Sequence, residues 1–132
     1  MLQELVSYVA SQTGHTIGTN LFAATWDVDA PSVCSLIRET AGVPNALLIG
    51  TGVRGVQILS RGPDWMSAET ELNRIFDVLY NRGAIVLPAI SSGGDSFLIN
   101  QVVPRSYPYY VGQDENAIVI YTTTLSLYMQ AT

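Results

Sequence analysis

The sequence predicts one α+β domain spanning residues 1–132, in which two helices pack on one face of a mostly antiparallel sheet. The length is that of a single domain, and 48% hydrophobic against 13% charged residues can form a core without disulfide or metal cross-links. The spacing of the apolar residues predicts the element order α-β-β-α-β-β-β. Because two helices are too few to flank every strand of a parallel sheet, we expect mostly antiparallel strands covered on one side.

The first half of the chain is predicted to contain one helix and two strands. Residues 2–13 have apolar side chains at helical spacing, and Gly14 is a typical residue just beyond a helix end. Residues 15–32 contain glycine, proline, asparagine and aspartate and are predicted to form a loop. Side chains alternate in 33–40 and in 56–61, which indicates two strands. The apolar face of the helix consists of Leu2, Leu5, Val6 and Val9.

The second helix is predicted to begin at a cap formed by Asp64 or Ser67 and to reach a last turn that contains Arg82. Glu69 and Glu71 are expected in the first turn, where the helix dipole favours negative charge. Its apolar residues recur every third or fourth position, which makes it the clearest helix in the chain. These residues are Ala68, Leu72, Ile75, Phe76 and Leu79.

The last third of the chain predicts a β-hairpin and a long strand. Residues 84–90 and 96–103 form the hairpin arms around a glycine-containing turn, and Pro88 makes the first arm an edge strand or a bulged one. Residues 104–116 are rich in tyrosine and proline and are predicted to form a loop. Residues 117–130 are β-branched and aromatic, which indicates a strand with two usable faces.

Three glycines spell the dinucleotide-binding pattern G-x-G-x-x-G at Gly50, Gly52 and Gly55. That site needs a helix that opens on the third glycine, because the pyrophosphate lies against the helix N-terminus. Residues 56–61 predict a strand there, so we expect no dinucleotide site. We predict instead that Ala41–Gly55 is a long loop, mobile or ordered by a partner, whose apolar residues need a neighbour. These residues are Leu47, Leu48 and Ile49.

No catalytic or metal-binding group of residues is predicted. His15 is the sole histidine and follows a helix end, so we expect it in a solvated loop. Cys34 is the sole cysteine and lies in an apolar strand, which indicates a buried, inert thiol. Asp27 and Asp29 could form half of a cation site, but with no third ligand nearby a solvated loop is favoured. We therefore expect no enzyme activity, no cofactor and no bound metal.

The charges of the chain indicate contacts with other protein chains. Its six cationic residues are all arginines, lysine is absent, and the net charge is −5. Lysine is depleted and arginine and tyrosine are enriched at protein interfaces, which favours an obligate oligomer over a monomer with a polar surface. An acidic chain without a basic stripe argues against nucleic-acid binding. No apolar run approaches the ~20 residues of a membrane-spanning helix, so no membrane partner is expected.

Several stretches in order resemble one family of structural proteins. The helix "LQELVSYV" leads into "GTNLF", the strand "VQILSRGPDW" leads into the helix "SAETELNRIFDVL", and a "P…GQDENA" loop precedes the last strand. Together they resemble the minor capsid or tail terminator proteins of long-tailed bacteriophages. The resemblance implies a virion protein, assembled in the host cytoplasm, that forms a ring of typically six copies. The ring would stop growth of the tail tube, contact the tail tube protein and join the head connector or stopper, while genomic DNA passes through its lumen.

The resemblance supplies no catalytic or ligand residues, only candidate contacts. Arg61, Asp64 and Trp65 at the strand-to-helix corner are candidates for subunit or tail-tube contacts; a local Arg61–Asp64 contact with Trp65 in the core is the alternative. Tyrosines in the predicted loop and one arginine are further candidates. A stopper of the same neck and, much less favoured, a small nucleotide-binding enzyme remain alternative functions. The further candidate residues are Arg54, Tyr107, Tyr109 and Tyr110.

Overall fold

The structure, a computed structural model, describes residues 1–27, 29–44, 52–80, 84–90, 94 and 96–131. Within these residues, two helices and one sheet of seven strands form the α+β fold that the sequence predicts. The helices are α1 (Leu2–Thr13) and α2 (Trp65–Leu79). The strands are β1 (Leu21–Ala23), β2 (Cys34–Pro44), β3 (Gly52–Gly62), β4 (Ile85–Leu87), β5 (Phe97–Pro104), β6 (Tyr109–Gln113) and β7 (Val119–Ala131).

The sheet has the order β1-β2-β3-β7-β5-β4, with β6 paired to β7 beside this path. Only the short pairing of β1 with β2 is parallel among the described strand pairs, so the sheet is mostly antiparallel as predicted. Strand β3 pairs with β7 from Gly62 opposite Val119 to Gly52 opposite Met129. The other side of β7 is shared, because β6 pairs with its first part and β5 with its last part.

The main core lies between the two helices and one face of the sheet. Alternate residues of the central strands point to this face, as the period of a β-strand requires. Burying one such leucine or isoleucine contributes roughly 1.5–3 kcal/mol. The chain passes close under α2 at Gly62, where an added Cβ would lie 2.8 Å from the Ala68 nitrogen. Fully buried core residues include Leu5, Val9, Ile37, Ile58, Leu72, Ile75, Leu125 and Leu127.

A second, smaller cluster lies on the opposite face of the sheet. Phe22, Cys34 and Leu36 are buried there, and Trp26 packs against them. The thiol of Cys34 is fully buried, which confirms the predicted position, and burial raises its pKa although the Arg61 side chain opposes the effect. A raised pKa keeps the thiol protonated and unreactive.

The strands extend further than their side-chain patterns indicate. The prediction of a loop over Ala41–Gly55 is wrong at both ends, because β2 continues to Pro44 and β3 begins at Gly52. Gly55 and Gly52 both take part in the pairing, opposite Thr40 and Pro44, although the register shifts between Thr40 and Val43. No helix opens on Gly55, as expected. Leu47, Leu48, Ile49 and Gly50 lie outside the described residues.

Two short strands replace predicted loops. Strand β1 lies within 15–32 and pairs with β2, and β6 lies within 104–116 and pairs with β7. The hairpin prediction is confirmed by the β4–β5 pairing, although β4 ends at Leu87, directly before Pro88. Strand β4 is an edge of the sheet, where a neighbouring proline costs no hydrogen bond. Most of the predicted glycine turn lies outside the described residues.

Helix α1 has the predicted limits, whereas α2 begins and ends at other residues than expected. Helix α1 ends as predicted, with Gly14 at φ 81° and its N–H donating to the Ala10 carbonyl at 3.0 Å. Helix α2 begins at Trp65 because Asp64 is the cap, so neither predicted glutamate lies in the first turn. It ends at Leu79, before Arg82, which lies outside the described residues.

Candidate interaction surfaces

A buried histidine–glutamate pair joins the two helices. The prediction of a solvated His15 is wrong: the residue is 6% exposed, and its Nε2 contacts the Glu71 carboxylate. Its Nδ1 lies 2.6 Å from the Thr13 hydroxyl. Glu71 was expected in a helix first turn but lies two turns into α2, on the face turned to the sheet. The imidazole therefore ties the end of α1 to the middle of α2.

Two serines and an arginine complete this polar network. The Ser35 hydroxyl on β2 donates to Glu71 at 3.0 Å and lies 2.7 Å from the Ser60 hydroxyl on β3. Arg74 donates to the other Glu71 oxygen at 3.5 Å and to the Thr13 carbonyl at 2.8 Å. The buried polar groups of His15, Glu71, Ser35 and Ser60 therefore all have hydrogen-bond partners, without which their burial would cost free energy.

The network fixes Glu71 in its charged form. Burial raises the pKa of this carboxyl, but hydrogen bonds from His15 and Ser35 and the charge of Arg74 outweigh burial and lower the pKa overall. The Glu71 carboxylate lies between the His15 imidazole and the Ser35 hydroxyl. The described hydrogen bonds therefore do not join a serine hydroxyl to the histidine, which is the base that activates a serine nucleophile. The arrangement joins α2 to the end of α1 and to β2 and β3 through hydrogen bonds.

Arg61, a predicted contact residue, organises the loop that follows β1. Its guanidinium lies 4.8 Å from the centre of the Trp26 ring and donates to the carbonyls of Ala30 at 2.9 Å and Pro31 at 3.0 Å. Its Nε also contacts the Cys34 sulfur at 3.1 Å. The proposed local contact between Arg61 and Asp64 is absent among the described interactions, because Arg61 lies opposite Cys34 and reaches across the second cluster.

The helix corner presents an exposed apolar surface. Asp64 caps α2 by accepting from the Ser67 N–H at 2.8 Å. Trp65 is 57% exposed rather than part of the core, and Met66 and Val33 are also exposed. We name Val33, Trp65 and Met66 the corner surface. An open groove of about 380 Å³ begins there and continues to the Glu71–Arg74 side of α2.

The predicted tyrosines lie along a strand and the loop before it. Tyr107 is 78% exposed, and Tyr109, Tyr110 and Val111 on β6 are exposed as well. We name these four residues the β6 surface. Strand β6 pairs with β7 alone among the described strands, so its other edge carries no strand partner there. An aromatic sheet edge of this kind is a template for contact with another chain.

The remaining candidates are less informative. Arg54 is half exposed and pairs with Glu39 at 3.6 Å, an exposed ion pair that contributes little to stability. Leu47, Leu48 and Ile49 lie outside the described residues, so the prediction that a neighbour covers them stays a prediction.

The described residues offer no cluster of three or more metal-ligating side chains. Asp27 and Asp29 are exposed, as expected for a solvated loop. No helix in the described part of the chain has the length and apolar character needed to cross a membrane. A comparison with protein-family models found no match to this chain, and a comparison with curated proteins found none either.

Proposed function

We propose that this chain is a structural virion protein that forms a ring, caps the tail tube of a long-tailed bacteriophage and joins it to the head connector. The single observation that carries the proposal is the presence of two separate exposed apolar surfaces on different elements. These are the corner surface at the start of α2 and the β6 surface at an edge of the sheet. A ring repeats a head-to-tail contact, which requires two different surfaces on each copy.

The composition of the surfaces supports contact with protein rather than nucleic acid. Tyrosine, tryptophan and methionine are enriched at protein interfaces, and the chain contains no lysine. Its acidic balance suits a lumen through which DNA passes without sticking, because phosphate binding needs clustered cations. The proposed partners are other copies of the chain, the tail tube protein and the connector or stopper protein.

Assembly in the presence of tail tubes tests the proposal. The purified protein is mixed with polymerising tail tube protein and followed by native mass spectrometry and negative-stain microscopy. We expect a closed ring, of six copies by the family resemblance, at one end of tubes whose growth then stops. A protein that stays monomeric at high concentration and leaves tube growth unchanged would contradict the function. A density map of the phage neck separates a terminator, seated on the tube, from a stopper above it.

A further inference from the structure

Two exposed arginines lie in one row across the sheet. Arg38 on β2 is opposite Gln57 on β3, and Gln57 is opposite Thr124 on β7. The backbone N–H of Arg105, the residue after β5, donates to the Thr124 carbonyl at 2.8 Å. The two arginines therefore stand at the ends of this row, with their backbones about 14 Å apart for three strand steps of roughly 4.8 Å.

Both arginine side chains lie on the face of the sheet opposite the helices and lean towards its centre. Arg38 is two residues after Leu36 of the second cluster and therefore shares its face, and its Nε donates to the Gln57 side chain at 2.7 Å. The Arg105 Nε donates at 2.8 Å to the hydroxyl of Ser126, which alternates with core residues of β7. Each guanidinium has four further N–H donors in a planar fork that matches a carboxylate.

Exposed tyrosines lie on the same face as the two arginines. Tyr128 is two residues after Ser126, on the same side of β7, and is 38% exposed. Tyr109 on β6 is exposed and lies opposite Thr122, which is also on that side of β7. Tyrosine and arginine are residue types enriched at protein interfaces. We name four residues the cationic face: Arg38, Arg105, Tyr109 and Tyr128.

Carboxylates do not neutralise this face. Glu39 is the sole acidic residue within the seven described strands, and it lies opposite the core residue Val56, on the side of the helices. Asp27 and Asp29 in the loop after β1 form no ion pair with either arginine among the described interactions. The cationic face therefore carries unpaired positive charge in a chain whose net charge is −5.

The solvent side of α2 has the opposite charge. Asp77 is exposed and Glu69 is partly exposed, and neither forms an ion pair with a described residue. Asp64, exposed at the helix start, accepts from a backbone N–H and has no cationic partner in the described part of the chain. Arg74 is the sole arginine of α2 and already pairs with Glu71. We name four exposed or partly exposed residues the acidic face: Asp64, Met66, Glu69 and Asp77.

We propose that copies of the chain pack face to back, with the cationic face of one copy against the acidic face of the next, and that this contact repeats around the ring. The inference rests on the proposed function for the ring and assigns the two surfaces that meet in it. Because the helices cover one side of the sheet, the two faces point in opposite directions, as a head-to-tail contact requires.

A second copy is the partner that the charges of the chain favour, because each copy presents both complementary faces. The apolar residues match as well. The cationic face adjoins the β6 surface through Tyr109, and the acidic face adjoins the corner surface through Met66. One contact therefore covers parts of both exposed apolar surfaces.

Charge reversal of one face at a time tests the contact. The first variant carries Arg38→Glu and Arg105→Glu, which makes both faces acidic, and the second carries Glu69→Arg and Asp77→Arg, which makes both faces cationic. We expect each variant alone to associate with itself at least tenfold more weakly than the wild type, with and without tail tubes, because like charges then meet at every contact.

An equimolar mixture of the two variants pairs opposite charges again. It should recover most of the assembly, as rings that contain equal numbers of the two chains in alternation. Native mass spectrometry measures the association and the chain ratio, and circular dichroism with thermal melting verifies that each variant is folded.

A matched control keeps the positive charge at the same two positions. The chain with Arg38→Lys and Arg105→Lys loses the planar forks but not the charge, so it should associate much more strongly than the glutamate variant. If the lysine variant associates as weakly as the glutamate variant, charge does not hold the contact and the inference is wrong.

The outcomes separate this inference from the proposed function. Wild-type rings on capped tubes, together with reversed variants that associate as strongly as the wild type or a mixture that does not recover, overturn the inference and leave the function standing. Loss of tube binding by the glutamate variant while its self-association persists would assign the cationic face to the tube protein and also overturn the inference. Rings on tubes whose growth continues would retain the contact and overturn the function. Wild-type protein that does not associate with itself, with or without tubes, overturns both.

Discussion

At the scale of single residues, the clearest feature is the carboxylate of Glu71. Three elements deliver partners to it: the loop after α1 delivers His15, β2 delivers Ser35, and the next turn of α2 delivers Arg74. A buried carboxylate is tolerated only where hydrogen bonds and charge replace its hydration. Removing the charge alone should therefore expose how much the fold depends on it.

We predict that Glu71→Gln destabilises the protein by about 1–3 kcal/mol, because a buried hydrogen bond to a charged group is lost and His15 keeps a poorer partner. Urea denaturation at neutral pH measures the change. Glu69→Gln is the matched control on the same helix and is expected to change stability by less than ~0.5 kcal/mol. Equal effects of the two substitutions would contradict the role of the network.

The same carboxylate predicts a pH dependence with a defined sign. The pKa of Glu71 is lower in the folded protein than in the unfolded chain, so folding favours its charged form. Its contribution is complete above the unfolded pKa of about 4.3 and is lost as the pH falls through the folded pKa. The urea concentration at the unfolding midpoint, measured between pH 7 and pH 3, should decrease once the pH is below about 4. Glu71→Gln should make this decrease smaller.

The Glu71→Gln variant should still lose some stability at low pH through Glu4 and Asp64, because hydrogen bonds lower the pKa of these two carboxyls as well. Glu4 bonds to the N-terminal amine, and Asp64 bonds to the N–H of Ser67. A variant Glu71→Gln whose midpoints decline as steeply as those of the wild type would show that Glu71 carries no pH-dependent stability.

The position of Glu71 also explains why its hydrogen-bond network was not predicted from the sequence. Helical spacing correctly puts Leu72, Ile75 and Leu79 on the buried face of α2, but charge alone suggests an exposed glutamate. The partner that reverses this expectation lies 56 positions away, at His15. A single sequence carries no local signal for such a pairing, because it arises only when α1 and α2 pack together.

At the scale of elements, α2 depends on its first capping residue. Asp64 has extended backbone angles, and its carboxylate accepts from the Ser67 N–H, which otherwise has no partner within the helix. The cap also fixes where the helix starts and therefore which residues reach the core.

We predict that Asp64→Ala lowers the melting temperature by a few degrees, because a helix N–H loses its acceptor. Asp64→Asn is the matched control and should lie close to the wild type, since asparagine caps helices as well as aspartate does. Thermal unfolding followed by circular dichroism gives both values. A melting temperature for Asp64→Ala equal to that of Asp64→Asn would contradict the capping role.

Element prediction from the sequence succeeded where one pattern extended over many residues. Both helices and β7 have long periodic runs and were predicted with small errors at their ends, whereas the first hairpin arm was predicted over 84–90 and comprises only Ile85–Leu87. Strands β1 and β6 were missed because they have three and five residues, and β6 contains glycine and follows prolines. Their pairing depends on the neighbouring β2 and β7 rather than on their own sequences.

At the scale of the whole molecule, two clusters share the same central strands. Ile37 and Leu36 are neighbours on β2, yet the first belongs to the main core and the second to the cluster on the opposite face. Ile58 and Leu59 on β3 have the same relation. Separation of β2 or β3 from the sheet therefore exposes both clusters at once.

We predict a single cooperative unfolding transition. Trp65→Phe leaves Trp26 as the only tryptophan, reporting on the second cluster, while circular dichroism reports on the helices of the main core. The two signals should give the same denaturant midpoint within error, because the clusters share β2 and β3. A tryptophan transition at clearly lower denaturant would show that the loop after β1 unfolds as a separate unit.

The central position of β7 has a consequence for synthesis of the protein in the cell. Two of its pairing partners, β3 and β5, are translated earlier, and residues 63–118 separate β3 from it. While a nascent chain is still on the ribosome, both strands keep one unpaired edge until residues 119–131 have left the exit tunnel. The sheet is therefore completed after translation of its middle strand rather than progressively, and truncated nascent chains should be the species that chaperones bind.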